Sequence, residues 1–327
     1  MMNRCIDQIM NYDIILYLCR YMNNRLKIRY LSVSKAMHQL KSKVAFKQRV
    51  NLCVIEELFY FDQFEYVVAH ERFRILPKNT KILQFTKHFN ESIYNLVYPS
   101  NLRHILFGSH FCQAIDGCIP DTVKYLLFGK RFNRPIDNLL PQSVTHLVLG
   151  EHFYEPFEKL PSLEYLTCIG YVFSWSFRRI YPEYLQYLEI NSFTSPLTAG
   201  GIPECVKYLK IVIGQPQSYA LPKSLVHLDI CAALNILPIN FVPAGVKYLI
   251  LRGLGIKISQ YVPIGVERLS LFIKNCDVED LFERLPLSVR RLDLIPMLHH
   301  QVRPEHYRSG LRIKKIHSGV KNKKSLL

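Results

Sequence analysis

No run of uncharged apolar residues in this sequence is long enough to cross a bilayer as a helix, although 49% of its 327 residues are hydrophobic. The opening residues also lack the pattern of a secretory leader. Nine cysteines are scattered along the chain, odd in number and never spaced as a C-x-x-C pair, which argues against a disulfide framework or a zinc ribbon. These absences point to a reducing intracellular compartment: the cytoplasm, with the nucleus also open. Catalytic signatures are missing as well, with no nucleophile elbow, no P-loop and no H-E-x-x-H. Gly253-Leu254-Gly255 lacks a third glycine, and His299-His300 has no partner at metal-ligand spacing. The residues therefore read as a non-enzyme with no cofactor and no metal.

Acidic residues are scarce, and the scarcity is local. The formal net charge is +16. Arg20 to Val50 holds nine Lys/Arg and no acid, and Leu298 to Leu327 holds eight Lys/Arg against Glu305, so these two segments account for 9 + 7 = 16. The long middle of the chain is electrically balanced. A nucleic-acid-binding role leans on the ends alone and is disfavoured.

What is abundant is repetition. Ile119 to Phe157 reads IPDTVKYLLFGKRFNRPI and then LPQSVTHLVLGEHFYEPF, two stretches that align without a gap. The same proline recurs at Pro77, Pro99, Pro120, Pro141, Pro161, Pro182, Pro203, Pro222, Pro243, Pro263 and Pro286, at intervals of 19 to 23 residues. Counting from each proline, aliphatic or aromatic residues stand at positions six and eight, as in Leu126 and Phe128 or Leu147 and Leu149. Apolar residues two apart with mixed residues between them predict one short strand per repeat. A unit of about twenty residues cannot bury its own apolar face, so copies must stack with their strands parallel. The expected fold over 76–296 is a leucine-rich-repeat-like solenoid of about eleven turns, with one short parallel strand per turn of about 21 residues. Residues 50–75 lack the repeat proline and are expected to cap its start, with Val50, Leu52 and Val54 alternating as a strand. Residues 297–327 form a basic cap or tail, in which Leu311, Ile313 and Ile316 suit one further strand. Lys321, Lys323 and Lys324 suit nuclear import or an acidic partner, or are simply solvated.

Residues 1–49 differ from the rest. Apolar residues fall at helical spacing, with Asp13 placed to cap a first helix, Asn23-Asn24 to break it, and Ser32 or Ser34 to cap a third. The run Tyr12-Asp13-Ile14-Ile15-Leu16, followed by Leu18, Tyr21-Met22, Leu26 and Leu31-Ser32-Val33-Ser34-Lys35, resembles an F-box, although Met10-Asn11 stands where that motif opens with Leu-Pro. The repeats from Pro77 to Phe157, above all Phe132-Asn133-Arg134-Pro135-Ile136, resemble FNIP repeats. Together the two halves resemble the F-box and FNIP repeat-containing proteins. That resemblance implies a small all-α F-box-like module followed by the solenoid. It also implies an adaptor function in a Skp1–cullin–F-box type ubiquitin ligase, acting by proximity and not by chemistry. A Skp1-like adaptor protein would dock on the module, and an unidentified target protein on the repeats. The candidates for the module's core and Skp1-facing surface are Ile14, Ile15, Leu18, Met22, Leu26, Leu31 and Val33. The rival reading is a protein-binding scaffold with a degenerate F-box and no ligase link.

On each strand, positions five and seven face away from the interior. Position five holds rings in most repeats, including His104, Tyr125 and His146, which suit either a stabilising ladder or a recognition stripe. Position seven is apolar at Leu106, Leu127 and Val148 but charged at Glu189, Lys210, Asp229 and Asp293. His104, Leu106, Tyr125, Leu127, His146 and Val148 are therefore the expected partner-binding patch, unless the preceding segments fold over them.

Overall fold

The computed structural model describes residues 11–71, 73–155, 162–170, 183–193, 202–214, 221–233, 237–238, 240–254, 258–273 and 276–316. The chain divides into two compact units, Met1–Glu155 and Pro156–Leu327.

Among the described residues the first unit begins with three short helices, α1 (Tyr12–Cys19), α2 (Asn24–Tyr30) and α3 (Lys35–Gln39). Each is capped by a side-chain oxygen that accepts an otherwise orphaned backbone N–H, a contact worth about 1 kcal/mol. Asn23 caps α2 and Ser34 caps α3. The cap of α1 is Asn11 and not Asp13: the Asn11 side chain accepts from the Asp13 amide, which puts Asp13 inside the first turn, where a carboxylate favours the helix dipole.

Six strands follow in chain order: β1 (Val50–Asn51), β2 (Tyr66–Ala69), β3 (Ile82–Phe85), β4 (His104–Leu106), β5 (Tyr125–Leu127) and β6 (His146–Leu149). Each pairs in parallel with the next, in register: Leu83 lies beside Ile105, Ile105 beside Leu126, and Leu126 beside Leu147. The segment before the first repeat thus adds two strands of its own. Its expected alternation fails after Asn51, where the chain turns into a 3₁₀ helix over Leu52–Val54 that buries Leu52 and exposes Val54. Below it, Phe46, Tyr60 and Phe64 stack at centroid distances of 4.8 to 5.8 Å.

The proline column sits in a turn that leads into each strand. The amide three residues on donates back to the proline carbonyl at Leu102→Pro99, Val123→Pro120 and Val144→Pro141, over 3.0–3.1 Å. That residue is buried, as the sequence pattern requires. Thr80, the one polar member of this column in the first unit, is buried too and directs its hydroxyl to Pro77 O at 2.8 Å.

Two phenylalanine ladders fill the interior. Phe85, Phe107 and Phe128 stack at 5.1 and 5.3 Å, with ring planes within 4°. Phe89, Phe111, Phe132 and Phe153 stack at 6.0 to 6.2 Å. Each such contact adds about 0.5–1.5 kcal/mol beyond the burial itself. Asparagine ties rungs together beside the second ladder: Asn90 Oδ1 accepts the Cys112 amide and Asn133 Oδ1 the Tyr154 amide, both at 2.8 Å. Ile93, Ile115 and Ile136 complete the motif as fully buried side chains. Phe-Asn-x-x-Ile is thus one aromatic rung, one bridge to the next turn and one core anchor.

The second unit holds β7 (Tyr165–Cys168), β8 (Tyr187–Phe193), β9 (Tyr208–Ile213), β10 (His227–Ala233), β11 (Tyr248–Leu254), β12 (Arg268–Ile273), β13 (Arg291–Leu294) and β14 (Arg312–Lys315), again parallel and in chain order. Two helices intervene, α4 (Val278–Arg284) and α5 (Pro296–His299). The proline turns recur at Pro203, Pro222, Pro243, Pro263 and Pro286, whereas Pro161 and Pro182 lie outside the described residues. Ser143, Ser224 and Ser288, two residues after their prolines, each donate a hydroxyl to a carbonyl of the preceding turn at 2.7–2.8 Å.

Strand length separates the units. In the first, the strands stop before position nine, which is Thr86 in the first repeat and then Gly108, Gly129 and Gly150; in the second, Asn191, Val212, Cys231, Arg252 and Phe272 stand there, and β8 to β12 run six or seven residues. The glycines are needed for close approach. A Cβ on Gly129 would lie 2.0 Å from Gly108 O, and one on Gly150 2.0 Å from Gly129 O. Relieving such an overlap means separating the rungs, so Gly129→Ala should destabilise the chain by about 1–3 kcal/mol, read as a lower urea midpoint. An unchanged midpoint would show that the rungs are not in this tight contact.

Candidate functional site

Two surfaces follow from these elements. The first lies on the helical module. Ile15, Cys19, Leu31, Met37, Leu40 and Val44 form its core, with Leu16, Met22 and Tyr30 packed against it. This sorts the predicted residues. Ile15 and Leu31 are interior, and Met22 is half-buried. Ile14 at 58%, Leu18, Leu26 and Val33 at 59% are exposed. Ile14 and Leu18, four apart on α1, share one helix face. Tyr12, Tyr17 and Tyr21 are exposed beside them in sequence, with Tyr17 and Tyr21 in contact at 5.4 Å and their hydroxyls 2.9 Å apart. The F-box-like run includes Tyr12 and Tyr21 but not Tyr17, and only the packed core shows that all three are left outside.

Two lysines of the basic segment are buried. Lys27 Nζ donates to Ala45 O at 2.7 Å and lies 5.9 Å from the Phe46 ring; Lys41 Nζ donates to Ser32 Oγ at 2.7 Å and lies 5.6 Å from the Tyr60 ring. Desolvation lowers the pKa of both. These lysines join the helices to the aromatic stack of the first strands, so they do not belong to the solvent-facing basic surface.

The second surface is the outer face of the sheet. In the first unit His104, Tyr125 and His146 form a ladder with centroids 5.5 and 6.0 Å apart. Burial lowers the His104 pKa, with His146 adding to the effect, so the His104 ring is neutral at pH 7. Leu106 departs from the expected exposed patch: flanked in register by Gln84 and Leu127, it is 6% exposed. Tyr125, Leu127, His146 and Val148 remain partly accessible, so the preceding segments do not seal them. The apolar patch is thus narrower than the sequence suggested, with Leu127 and Val148 at its centre.

In the second unit the ring column continues through Tyr187, Tyr208, His227 and Tyr248, with the closest pairs 4.4 and 4.3 Å apart. Beside it the charges pair across rungs. Lys210 bonds Glu189, and Arg252 holds Asp229 through Nε at 2.8 Å and Nη2 at 3.1 Å while lying 4.2 Å from the Phe272 ring. Asp293 is 1% exposed and accepts from Arg268 Nε, Arg291 Nε and Ser270 Oγ at 2.9, 2.9 and 3.1 Å. Burial alone would raise its pKa, but the bonds and charges of Arg291 and Arg268 outweigh this and hold it below the usual carboxylate value. Among the described residues no cluster of three or more His, Cys, Asp or Glu is placed to hold a metal ion, and no helix is long and apolar enough to cross a membrane.

Residues 72–110, 111–152 and 132–168 match the family model of the FNIP Repeat. These turns are similar to FNIP repeats. Beyond Cys168 the proline and leucine columns persist while the Phe-Asn half of the motif is lost, in step with the longer strands. No curated protein matches the chain. A solved structure described as "The crystal structure of CroV588 a novel circular LRR protein structure" is similar at 21% identity, with a TM-score of 0.49, over 78% of this chain and 46% of that one. This chain therefore spans less than half the length of that protein. The described strands pair in parallel in chain order, one per turn.

A carboxyl whose pKa is depressed by folding adds stability above its unfolded pKa and loses it as pH falls through the folded value. Asp293→Ala removes the buried carboxylate between two half-exposed arginines, whose repulsion solvent partly screens, and should cost about 1–3 kcal/mol at pH 7. The same variant should show a shallower loss of stability below pH 4 than the parent, because the group that titrates there is gone. Urea unfolding at pH 7 and pH 3 measures both.

Proposed function

We propose that the chain is a non-enzymatic, protein-binding repeat scaffold whose helical module docks a Skp1-like adaptor protein while the repeats hold a target for ubiquitination. The observation that carries this reading is the exposure of Ile14, Leu18, Leu26 and Val33, with Tyr12, Tyr17 and Tyr21, on a module that already has its own core. Apolar side chains left outside a closed core on a few short helices suit a partner surface. The F-box resemblance names that partner, and the surrounding basic residues suit an acidic one, as Skp1 is by family inference. The Lys41 ammonium lies against the Tyr60 ring, and Phe46 stacks on Tyr60 and Phe64, contacts between the module and the segment before the repeats that would hold an adaptor in a fixed relation to their start.

A second reading, a scaffold with no ligase link, is favoured by one feature. Where the F-box opens with Leu-Pro, this chain has Met10-Asn11, and Asn11 serves as a helix cap.

Co-purification with Skp1 at physiological salt separates the two. Ile14→Asp with Leu18→Asp should abolish capture while leaving the far-UV spectrum intact, since both side chains are exposed. Failure of the parent chain to retain Skp1 favours the unlinked scaffold. On the repeats, Leu127→Lys should remove target proteins from a pull-down with little change in folding. If it misfolds instead, the residue serves packing and the patch is structural.

A further inference from the structure

The outer face of the sheet changes character at its C-terminal end. At position five the ring column gives way to Arg268, Arg291 and Arg312, which lie side by side in register on β12, β13 and β14. At position seven the same strands carry Ser270, Asp293 and Lys314. Four cations and one carboxylate leave +3 on three adjacent rungs. On β8 to β11, by contrast, Glu189 with Lys210 and Asp229 with Arg252 cancel.

Asp293 does more than neutralise. It takes Nε of both Arg268 and Arg291, which fixes two long side chains by their inner edges, while both remain partly exposed. Arg291 bonds Asp293 through Nε, and its side chain is 39% exposed. Arg312 and Lys314 are exposed and bond no carboxylate among the described residues. Pre-oriented guanidinium groups lose less freedom when they bind a carboxylate than mobile ones do.

We propose that the outer face of β12 to β14 binds an extended acidic segment of a partner protein, with Arg291, Arg312 and Lys314 as the main contacts and Asp293 as the residue that positions the arginines. The site is separate from the Leu127 patch and stands whether or not the helical module binds an adaptor. Its size sets the ligand. Three rungs span roughly 10 Å, and alternate side chains of an extended peptide stand about 6.6–6.8 Å apart, so two or three acidic residues fill it. A longer polyanion continuing along the column would meet Asp229 and Glu189, whose cations are already engaged, and gain little. That favours a short acidic stretch over a nucleic-acid strand. The competing role for Lys314 and Lys315 is to blunt the edge strand β14 against pairing with another chain.

The test uses the full chain and a fluorescein-labelled peptide with three glutamates at alternate positions, beside its glutamine counterpart, read by fluorescence anisotropy. The glutamate peptide should bind and the glutamine peptide should not, with affinity falling as salt rises. Arg312→Glu with Lys314→Glu should weaken binding by about tenfold or more, while glutamine at Lys321, Lys323 and Lys324 leaves it in place. Should the double variant fail to fold, Arg312→Ala alone replaces it and should still weaken binding. Unchanged affinity in the face variants, or a loss that follows the three lysines beyond residue 316, overturns the proposal and leaves edge protection as their role. Tighter binding of a deoxythymidine oligonucleotide through the same residues also overturns it, in favour of nucleic acid.

Discussion

In-register parallel pairing is the constraint on which the rest of this structure depends. Because positions five to eight of each strand lie in register with those of the strand before it within each unit, and the ladder shifts only past Ile190 on β8, a residue type chosen once per turn becomes a column. The phenylalanine ladders, the ring column outside and the asparagine bridges all follow from that single relation. The proline turns maintain it: a carbonyl that accepts the amide three residues later fixes where each strand begins, and so fixes its phase against the strand before.

The two units apply the same relation with different chemistry. In the first, glycine brings the rungs close and ends the strands early, so the chain turns at once into Phe-Asn-x-x-Ile and fills the interior with rings. In the second, position nine carries a side chain on β8 to β12, those strands run longer, the described interior is largely aliphatic with Phe241 and Tyr261 among it, and the outer face acquires paired charges. The first unit thus carries an apolar outer patch among aromatic rings, and the second a polar face organised by ion pairs. These surfaces are unlike enough to favour different partners.

Much of the fold was legible in the sequence because columns are a local property. Position six and position eight need only be read down the chain, and each repeat's strand falls where that pattern puts it. Features that depend on particular packing were not legible. Val54 has the right period for a strand, yet the chain turns before reaching it. Asp13 is a good cap residue, yet Asn11 stands at the boundary. Leu106 matches Leu127 in position but not in exposure, because burial depends on what flanks a residue in the sheet. Among the F-box-like residues, spacing marks Ile14 and Ile15 alike, and only the packed core sends one inward and the other out. Asp293 joins Arg268, 25 residues before it, to Arg291, two residues before it, in bonds that follow from side-chain direction. The serine bridges had a visible signal, Pro-x-Ser at three repeats, whose meaning required the neighbouring carbonyl.

The glycine column has a consequence for how such a chain can grow. The carbonyl that crowds Gly129 belongs to Gly108, and the one that crowds Gly150 belongs to Gly129, so each repeat supplies the wall for its successor and the gap for its predecessor. A segment duplicated by recombination in this region would bring both halves of that fit with it and would seat between its parents without any new interface having to be invented. A repeat imported from beyond Cys168, with a side chain at position nine, would not, which restricts lengthening of the first unit to copies of itself.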